Sequence, residues 1–271
     1  SPELPIEFIN TGELDIKNTY VLPVTIKSVE GISVLQSAKT YYYVFRGASL
    51  INVVCNISRN RAYPDFKNDS KFNNLTENTM EILFKANSFP NTLNTLMGIE
   101  SNYLLRIGDA TIPNNQLQVA TSVNNCTSAD LQLESGKWYH VAVAFNKGNV
   151  KVYINGVEKL SGSTGKSSVS LGAKHTNEED GSRCFWVGYS YKDDRYFDGV
   201  VSEVRIWNRA LTAEEIQATN HFYTIEPESE GLIAYWKFDE GSGTVAKDYS
   251  VSGYDLTIEK EPKWESVSLP Q

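Results

Sequence analysis

The chain has 271 residues, 41% of them hydrophobic and 21% charged, which describes a globular protein and excludes a disordered or fibrous one. Its 33 acidic and 25 basic residues give a formal charge of −8, which argues against a nucleic-acid partner and against adhesion to anionic lipid. Neutral partners and cations remain, and no apolar stretch reaches the length of a membrane-spanning helix.

In chain order, Tyr20–Val29 (YVLPVTIKSV) and Thr40–Gly47 (TYYYVFRG) read as two strands, joined by the polar connection GISVLQSAK. This is too little chain for a full sandwich, so residues 1–52 are expected to form a small β domain, immunoglobulin-like and in part incomplete. Asn52–Asn74 is polar and broken by Pro64, and the domain boundary is placed there. From Thr79 onward, short strands alternate with Asn, Gly and Pro turn signals: TMEILFKA, TLMGIES, YLLRIG, QLQVAT, WYHVAVAF, VKVYIN, CFWVGYSY and GVVSEVRIW. Such spacing without interleaved helices predicts an all-β antiparallel sandwich or barrel. Within WYHVAVAF, Tyr139, Val141, Val143 and Phe145 share one face, and Asn146–Asn149 and Asn155-Gly156 are hairpin turns. LTAEEIQATNHFY is the one helical stretch, opened by a Thr212/Glu215 capping box and packed through Leu211, Ile216 and Phe222.

Catalysis finds little support. Asp239 and Glu240 are consecutive, so on a strand they point to opposite faces and cannot flank a scissile bond together. Glu178, Glu179 and Asp180 read as a solvated turn, and Glu214 and Glu215 as acids at a helix start. In VSEVRIW, Glu203 and Arg205 share a face and suit a structural ion pair. No GxSxG elbow exists, and SGSTGKSS is spaced too closely for a phosphate loop. His140, His175 and His221 are scattered along the chain with no Cys/His cluster, which speaks against zinc. Three cysteines leave at least one unpaired, with Cys126–Cys184 as one disulfide the sequence allows.

Binding chemistry is better supplied. Strand alternation in CFWVGYSY puts Phe185, Val187, Tyr189 and Tyr191 on one face and Trp186 and Ser190 on the other. The loop that follows adds Asp193, Asp194, Arg195 and Tyr196. Tyr189, Tyr191, Asp194, Arg195 and Tyr196 form the candidate sugar site, since arginine and acids grip hydroxyls while an aromatic face stacks on a ring. Asp248 and Asp255 bracket a hydroxyl-bearing glycine turn and are the candidate ligands of a structural calcium ion, although the turn lacks the EF-hand pattern.

Three stretches together resemble the laminin-G-like, concanavalin A-type lectin/glucanase superfamily. They are GKWYHVAVAFNKGNVKVYINGVE, FDGVVSEVRIWNRALTAEEI and YWKFDEGSG…KD…SGYDLT. The resemblance covers about Asn60 to Thr257 and implies a concanavalin A-like jelly roll over residues 60–271. It also implies glycan or protein binding, and structural calcium in the loop holding Asp248 and Asp255, where Val251 and Tyr254 depart from the expected small or polar residues. The laminarinase-type Glu-x-Asp-x-x-Glu strand is missing, so the expectation is a lectin that is not an enzyme and requires no cofactor. LPVTIKSVEG and TYYYVF are similar to a domain of unknown function in surface lipoproteins of gut Bacteroidetes, which commonly precedes a laminin-G-like domain. That similarity implies a cell-surface lipoprotein, lipid-anchored to the outer membrane, working in polysaccharide utilisation beside other outer-membrane glycan-uptake proteins. The opening SPELP reads as the start of a processed chain without its signal. Adhesion through a protein partner and a glycoside hydrolase with an unrecognised site are the two other readings. In many laminin-G-like domains the AYWKFD segment comes first, so here it is expected to close the sandwich as in a circular permutation, pairing near the first strands of the lectin domain.

Overall fold

A computed structural model describes residues 14, 18–46, 49–176 and 183–270. Glu178, Glu179 and Asp180 lie outside these residues. No helix among the described residues is long and apolar enough to cross a membrane. The chain divides into two compact units, residues 1–52 with 268–271, and residues 53–267.

In the first unit, β1 (Thr19–Thr25) and β2 (Thr40–Arg46) pair antiparallel, from Thr19↔Arg46 to Thr25↔Thr40. The alternating β-branched and aromatic residues that favour this ribbon leave much of their apolar surface in solvent, Tyr41, Tyr42 and Val44 among them.

The remaining strands are β3 (Ile51–Asn56), β4 (Ala62–Pro64), β5 (Glu77–Ala86), β6 (Asn94–Ile99), β7 (Tyr103–Asp109), β8 (Ile112–Thr121) and β9 (Cys126–Gln132). They continue with β10 (Trp138–Asn146), β11 (Asn149–Ile154), β12 (Val157–Ser163), β13 (Trp186–Val187) and β14 (Gly199–Trp207). After α1 (Ala213–Ile216) come β15 (Leu232–Trp236), β16 (Val245–Ala246), β17 (Leu256–Ile258) and β18 (Lys263–Leu269). One sheet runs β12-β11-β10-β5-β14-β3-β18, with β15 also on β14, and the other runs β16-β17-β4-β13-β6-β7-β8-β9. β10 pairs antiparallel with both β5 and β11, as do β14 with β5, β6 with β7 and β7 with β8, as the turn spacing predicts.

Period-two patterning explains why the sheets face each other. Met80, Ile82 and Phe84, Val141, Val143 and Phe145, and Val204 and Ile206 turn inward from the first sheet. They meet Leu96, Leu105, Leu117, Val119 and Val187 of the second in one continuous core. On the outer face of the first sheet, Ala142, Ala144, Tyr153, Trp207 and Tyr235 pack with Leu211 and Ile216 of the α1 region. Lys147-Gly148 and Asn155-Gly156 both take positive φ, the geometry that joins two twisted strands through two residues. Gly199, in the phenylalanine-x-glycine motif, has a different duty: an added Cβ would lie 2.4 Å from the Lys85 carbonyl, so only glycine lets β14 approach β5 there.

The helix begins where the capping box places it, with Thr212 accepting from Glu215 N–H and Glu215 answering to Thr212 N–H. It lasts only four residues before a series of turns in which Asn220 adopts φ +63°. The AYW of AYWKFD lies in β15, which pairs with β14 through Arg205↔Tyr235 and Ile206↔Ala234. It thus sits one strand away from β5 rather than directly on it. The chain then crosses to the other sheet, where β17 pairs with β4 at the start of the second unit. All three cysteines are buried and none is in a disulfide; Cys126 lies in the main core and Cys184 in a separate aromatic cluster, so the Cys126–Cys184 bond does not form.

Candidate functional site

The candidate site forms where β4, the segment after β13 and the connection after β17 converge. Gly188 takes φ +79°, which turns the chain between Val187 and Tyr189 and breaks the strand alternation. Phe185 and Val187 remain in the main core, whereas Tyr189 joins Trp186 and Cys184 in a cluster at its edge. The expectation of one face bearing Phe185, Val187, Tyr189 and Tyr191 is therefore corrected, and the cause is this single left-handed glycine. Tyr189 packs edge-on against Trp186 at 5.2 Å and tilts against Tyr196 at 5.0 Å.

Arg61 lies above this aromatic floor, 4.6 Å from the Tyr189 ring centre and 5.0 Å from that of Trp186. Glu259 holds it by a two-point contact, Nε–Oε2 at 2.9 Å and Nη2–Oε1 at 2.5 Å. The backbone beneath is fixed by Asn60, whose buried carboxamide accepts from the Arg61 and Lys260 N–H groups and donates to the Lys260 carbonyl. One amide side chain thereby clamps segments that are 200 residues apart in sequence. Above the clamp is an open cleft of about 480 Å³ lined by Arg61, Tyr189, Lys192, Asp193, Tyr196, Glu259 and Lys260. It shares Asp193, Tyr196 and Lys260 with a neighbouring cleft of about 600 Å³ that contains Arg59, Asn91 and Asp198. Burial pushes the Tyr196 hydroxyl up to about 12, so it stays a neutral donor and acceptor at physiological pH. Asp198 accepts from Ser58, Asn87 and Ser88, and these bonds outweigh its burial and hold it below the usual carboxylate range.

Of the five predicted sugar-site residues, Tyr189 and Tyr196 line the cleft. Tyr191 does not; it adopts φ +64° and lies among Arg183, Lys192 and Arg195, whose charges sit 5.3–5.6 Å from its ring. Arg195 pairs with Glu100 at 3.0 Å, and Asp194 projects into solvent with its side chain 77% exposed. Arg61, Glu259, Lys260 and Asn60 were not foreseen. Arg61 and Asn60 sit in the polar stretch read as a boundary, and Glu259 is 198 residues from its partner. Only the run of tyrosines and charged residues around Tyr189, itself 3% exposed, gave a local signal.

The calcium expectation meets a different arrangement. Asp248 accepts from the N–H groups of Tyr235, Ser250 and Tyr254, and Asp255 accepts from Asp248 N–H and from Lys247 Nζ at 2.6 Å. Both carboxylates are thus aimed at N–H donors and an ammonium group, and this donor set does not fit a calcium ion. They brace the turn that follows β16. Asp239 is exposed and Glu240 half-buried, and the Lys247 N–H binds one Glu240 oxygen. Burial raises Glu240 above the usual carboxylate range.

A second polar group lies under α1 and the turns after it. The predicted Glu203–Arg205 pair forms there, fully enclosed, with the Tyr235 hydroxyl 2.6 Å from Glu203. Glu203 sits at φ +49° in a bulge of β14 that lets both charges turn to this side. Burial raises Glu203 above its ordinary range despite Arg205. Glu81 beside it is also fully buried, yet contacts with His140 and His221 outweigh burial and hold it well below that range.

A family model described as the concanavalin A-like lectin/glucanases superfamily matches residues 60–217. The chain belongs to that superfamily. No curated protein matches the chain. Among solved structures, it is similar to a protein of Bacteroides ovatus ATCC 8483 described as a "putative carbohydrate binding protein", with 26% identity and a TM-score of 0.69 over 94% of this chain and 70% of that one. Weaker likenesses include a heptameric pentraxin of Limulus polyphemus, at 14% identity and TM-score 0.44 over 64% of this chain and 83% of that one. Another is domain 4 of an extracellular arabinanase of Geobacillus stearothermophilus, at 20% identity and TM-score 0.47 over 79% of this chain and 91% of that one.

Proposed function

We propose that the protein is a non-catalytic carbohydrate-binding module that takes a glycan in the cleft above Tyr189. The observation that carries this reading is Arg61, held by Glu259 at one edge and lying over Tyr189 and Trp186. It gives a fixed fork of donors beside a half-buried Tyr196, the pairing that neutral polyhydroxylated rings call for. The floor is held in advance by Asn60, so little ordering is lost on binding. The acids of the cleft do not suit catalysis. Asp198 is tied by three hydroxyl and amide donors that hold its carboxyl down, where a glycosidase acid is raised, and both Glu259 oxygens are committed to Arg61. The carbohydrate-binding description of the Bacteroides ovatus relative supports the same assignment. We extend the proposal to a surface role in polysaccharide utilisation beside outer-membrane glycan-uptake proteins, carried on a lipid anchor.

Affinity electrophoresis on a panel of plant and host polysaccharides tests the proposal. At least one polysaccharide should retard the protein, and Arg61→Ala or Tyr196→Ala should abolish the retardation while leaving the circular dichroism spectrum unchanged. Retardation unaffected by both changes would place the site elsewhere, and sugar release from the retarding polysaccharide would make the protein an enzyme. A second reading, adhesion to a protein partner, is favoured by the β1–β2 ribbon, whose Tyr41 and Tyr42 are 66% and 67% exposed. Tyr41→Ser/Tyr42→Ser should weaken that contact without altering glycan retardation.

A further inference from the structure

Histidines scattered in sequence are brought together by the fold. His140 comes from β10, Glu81 from the adjacent β5, and His221 from the turns after α1. Their ligand atoms all lie within 4.8 Å of one another, and they are the only such group of three or more among the described residues. Both imidazoles present Nε2 to the same oxygen, Glu81 Oε1, at 2.6 Å from His221 and 3.4 Å from His140. The other oxygen, Oε2, is held away from them by Trp207 Nε1–H at 2.7 Å, with the Arg205 guanidinium at 3.7 Å. The carboxylate therefore offers one oxygen toward the two rings, oriented by partners behind it, as metal-binding carboxylates are.

Two further observations point to a cation. The His140 ring is wholly buried, its Nδ1 has no hydrogen-bond partner and its Nε2 has only the Glu81 oxygen at 3.4 Å, although Phe222 stacked at 4.5 Å fixes its plane and Asn155 fixes its backbone. A buried imidazole so poorly satisfied is costly unless something binds its lone pair. With neutral histidines and ionised carboxylates the enclosed groups carry a net negative charge, Glu81 and Glu203 against Arg205 alone, so the site can take up a proton or a cation. Two nitrogens and one carboxylate oxygen form a donor set suited to zinc rather than to calcium or magnesium. Zinc–ligand bonds of about 2.0–2.1 Å place neighbouring tetrahedral ligands roughly 3.3 Å apart. The His140–Glu81 separation already fits, and the His221–Glu81 contact needs to open by less than about 1 Å.

We propose that Glu81, His140 and His221 form a structural site for a divalent ion of the zinc class, which ties the turns after α1 to the β5–β10 pair. Three protein ligands leave the fourth tetrahedral position to a water molecule, and exposure of 5% or less at all three residues excludes a substrate from it, so the ion's role is structural.

The test uses the whole chain, freed of metal with a chelator that is then removed. Zinc chloride titrated calorimetrically should bind one equivalent and raise the melting temperature, whereas calcium and magnesium chloride should do neither. Cobalt(II) should give the intense visible absorption of a tetrahedral site. His140→Gln and His221→Gln should each weaken zinc binding by at least about tenfold, and His175→Gln should leave it unchanged. Failure to bind one equivalent would overturn the proposal and leave a proton as the balancing charge. Binding lost with His175→Gln would also overturn it, as would binding undiminished by both of the other changes. Should both of those variants fail to fold, the wild-type cobalt spectrum decides, and an octahedral spectrum counts against the site.

Discussion

Arg205 and Arg61 use the same chemistry in opposite settings. Each pairs with a glutamate and each lies over tyrosine, Arg205 over Tyr235 at 5.2 Å and Arg61 over Tyr189 at 4.6 Å. The side chains of the Arg205–Glu203 pair are 0% and 3% exposed, while those of Arg61–Glu259 are 24% and 34% exposed. An enclosed pair has lost its water and can only be structural, because breaking it strands a charge in a low-dielectric interior. A pair at a cleft edge keeps part of its hydration and holds a guanidinium in place for a ligand at little cost. Burial, rather than residue type, separates the two roles.

The largest effect should come from the enclosed pair. Arg205→Met leaves Glu203 and Glu81 without their cation and should lower the unfolding free energy by about 3–5 kcal/mol, read from urea denaturation. A loss under about 1 kcal/mol would mean that water reaches these groups. An intermediate effect is expected at Asp248, where Asp248→Ala strips an acceptor from three backbone N–H groups and should cost about 1–3 kcal/mol. Added calcium should not move the melting temperature of the wild type. At the cleft, Arg61→Ala should cost no more than about 1 kcal/mol in stability yet remove glycan retardation, which inverts the Arg205 result.

The smallest effect concerns pH. Asp198 is depressed in the folded state below the ordinary 3.8, so its contribution is present above that value and fades as pH falls through the folded-state value. Asp198→Asn should therefore lower stability near neutrality, where the ionised carboxylate contributes in full, and flatten the acid limb of the stability curve below about pH 4, as followed by thermal melts from pH 3 to 7.

Local rules made much of the sandwich legible. Alternation in Trp138–Phe145 fixed which face is core, the capping box fixed the start of α1, and two positive-φ turns fixed the hairpins. The Glu203–Arg205 pair was expected from i, i+2 spacing, although the chain reaches it through a bulge at Glu203 that this spacing does not encode. What was illegible depended on one residue or on long range. Gly188 reversed the faces of Tyr189 and Tyr191, a change that strand periodicity does not encode. Arg61 and Glu259, or Glu81 and His221, meet only because distant strands become neighbours, and nothing in their flanking residues marks them. The acids at Asp248 and Asp255 looked like cation ligands because composition lists the oxygens and omits the N–H groups that face them.

The Asn60 clamp also bears on how such a cleft changes over generations. Because the main chain at position 260 is secured by another residue's amide, the side chain there contributes nothing to holding its own loop. Position 260 is accordingly free to drift: lysine can give way to a shorter, neutral or aromatic residue and alter what the cleft accepts, while the loop keeps its path. Asn60 has no such licence. A lineage that diversifies its ligands would vary the one position and keep the other.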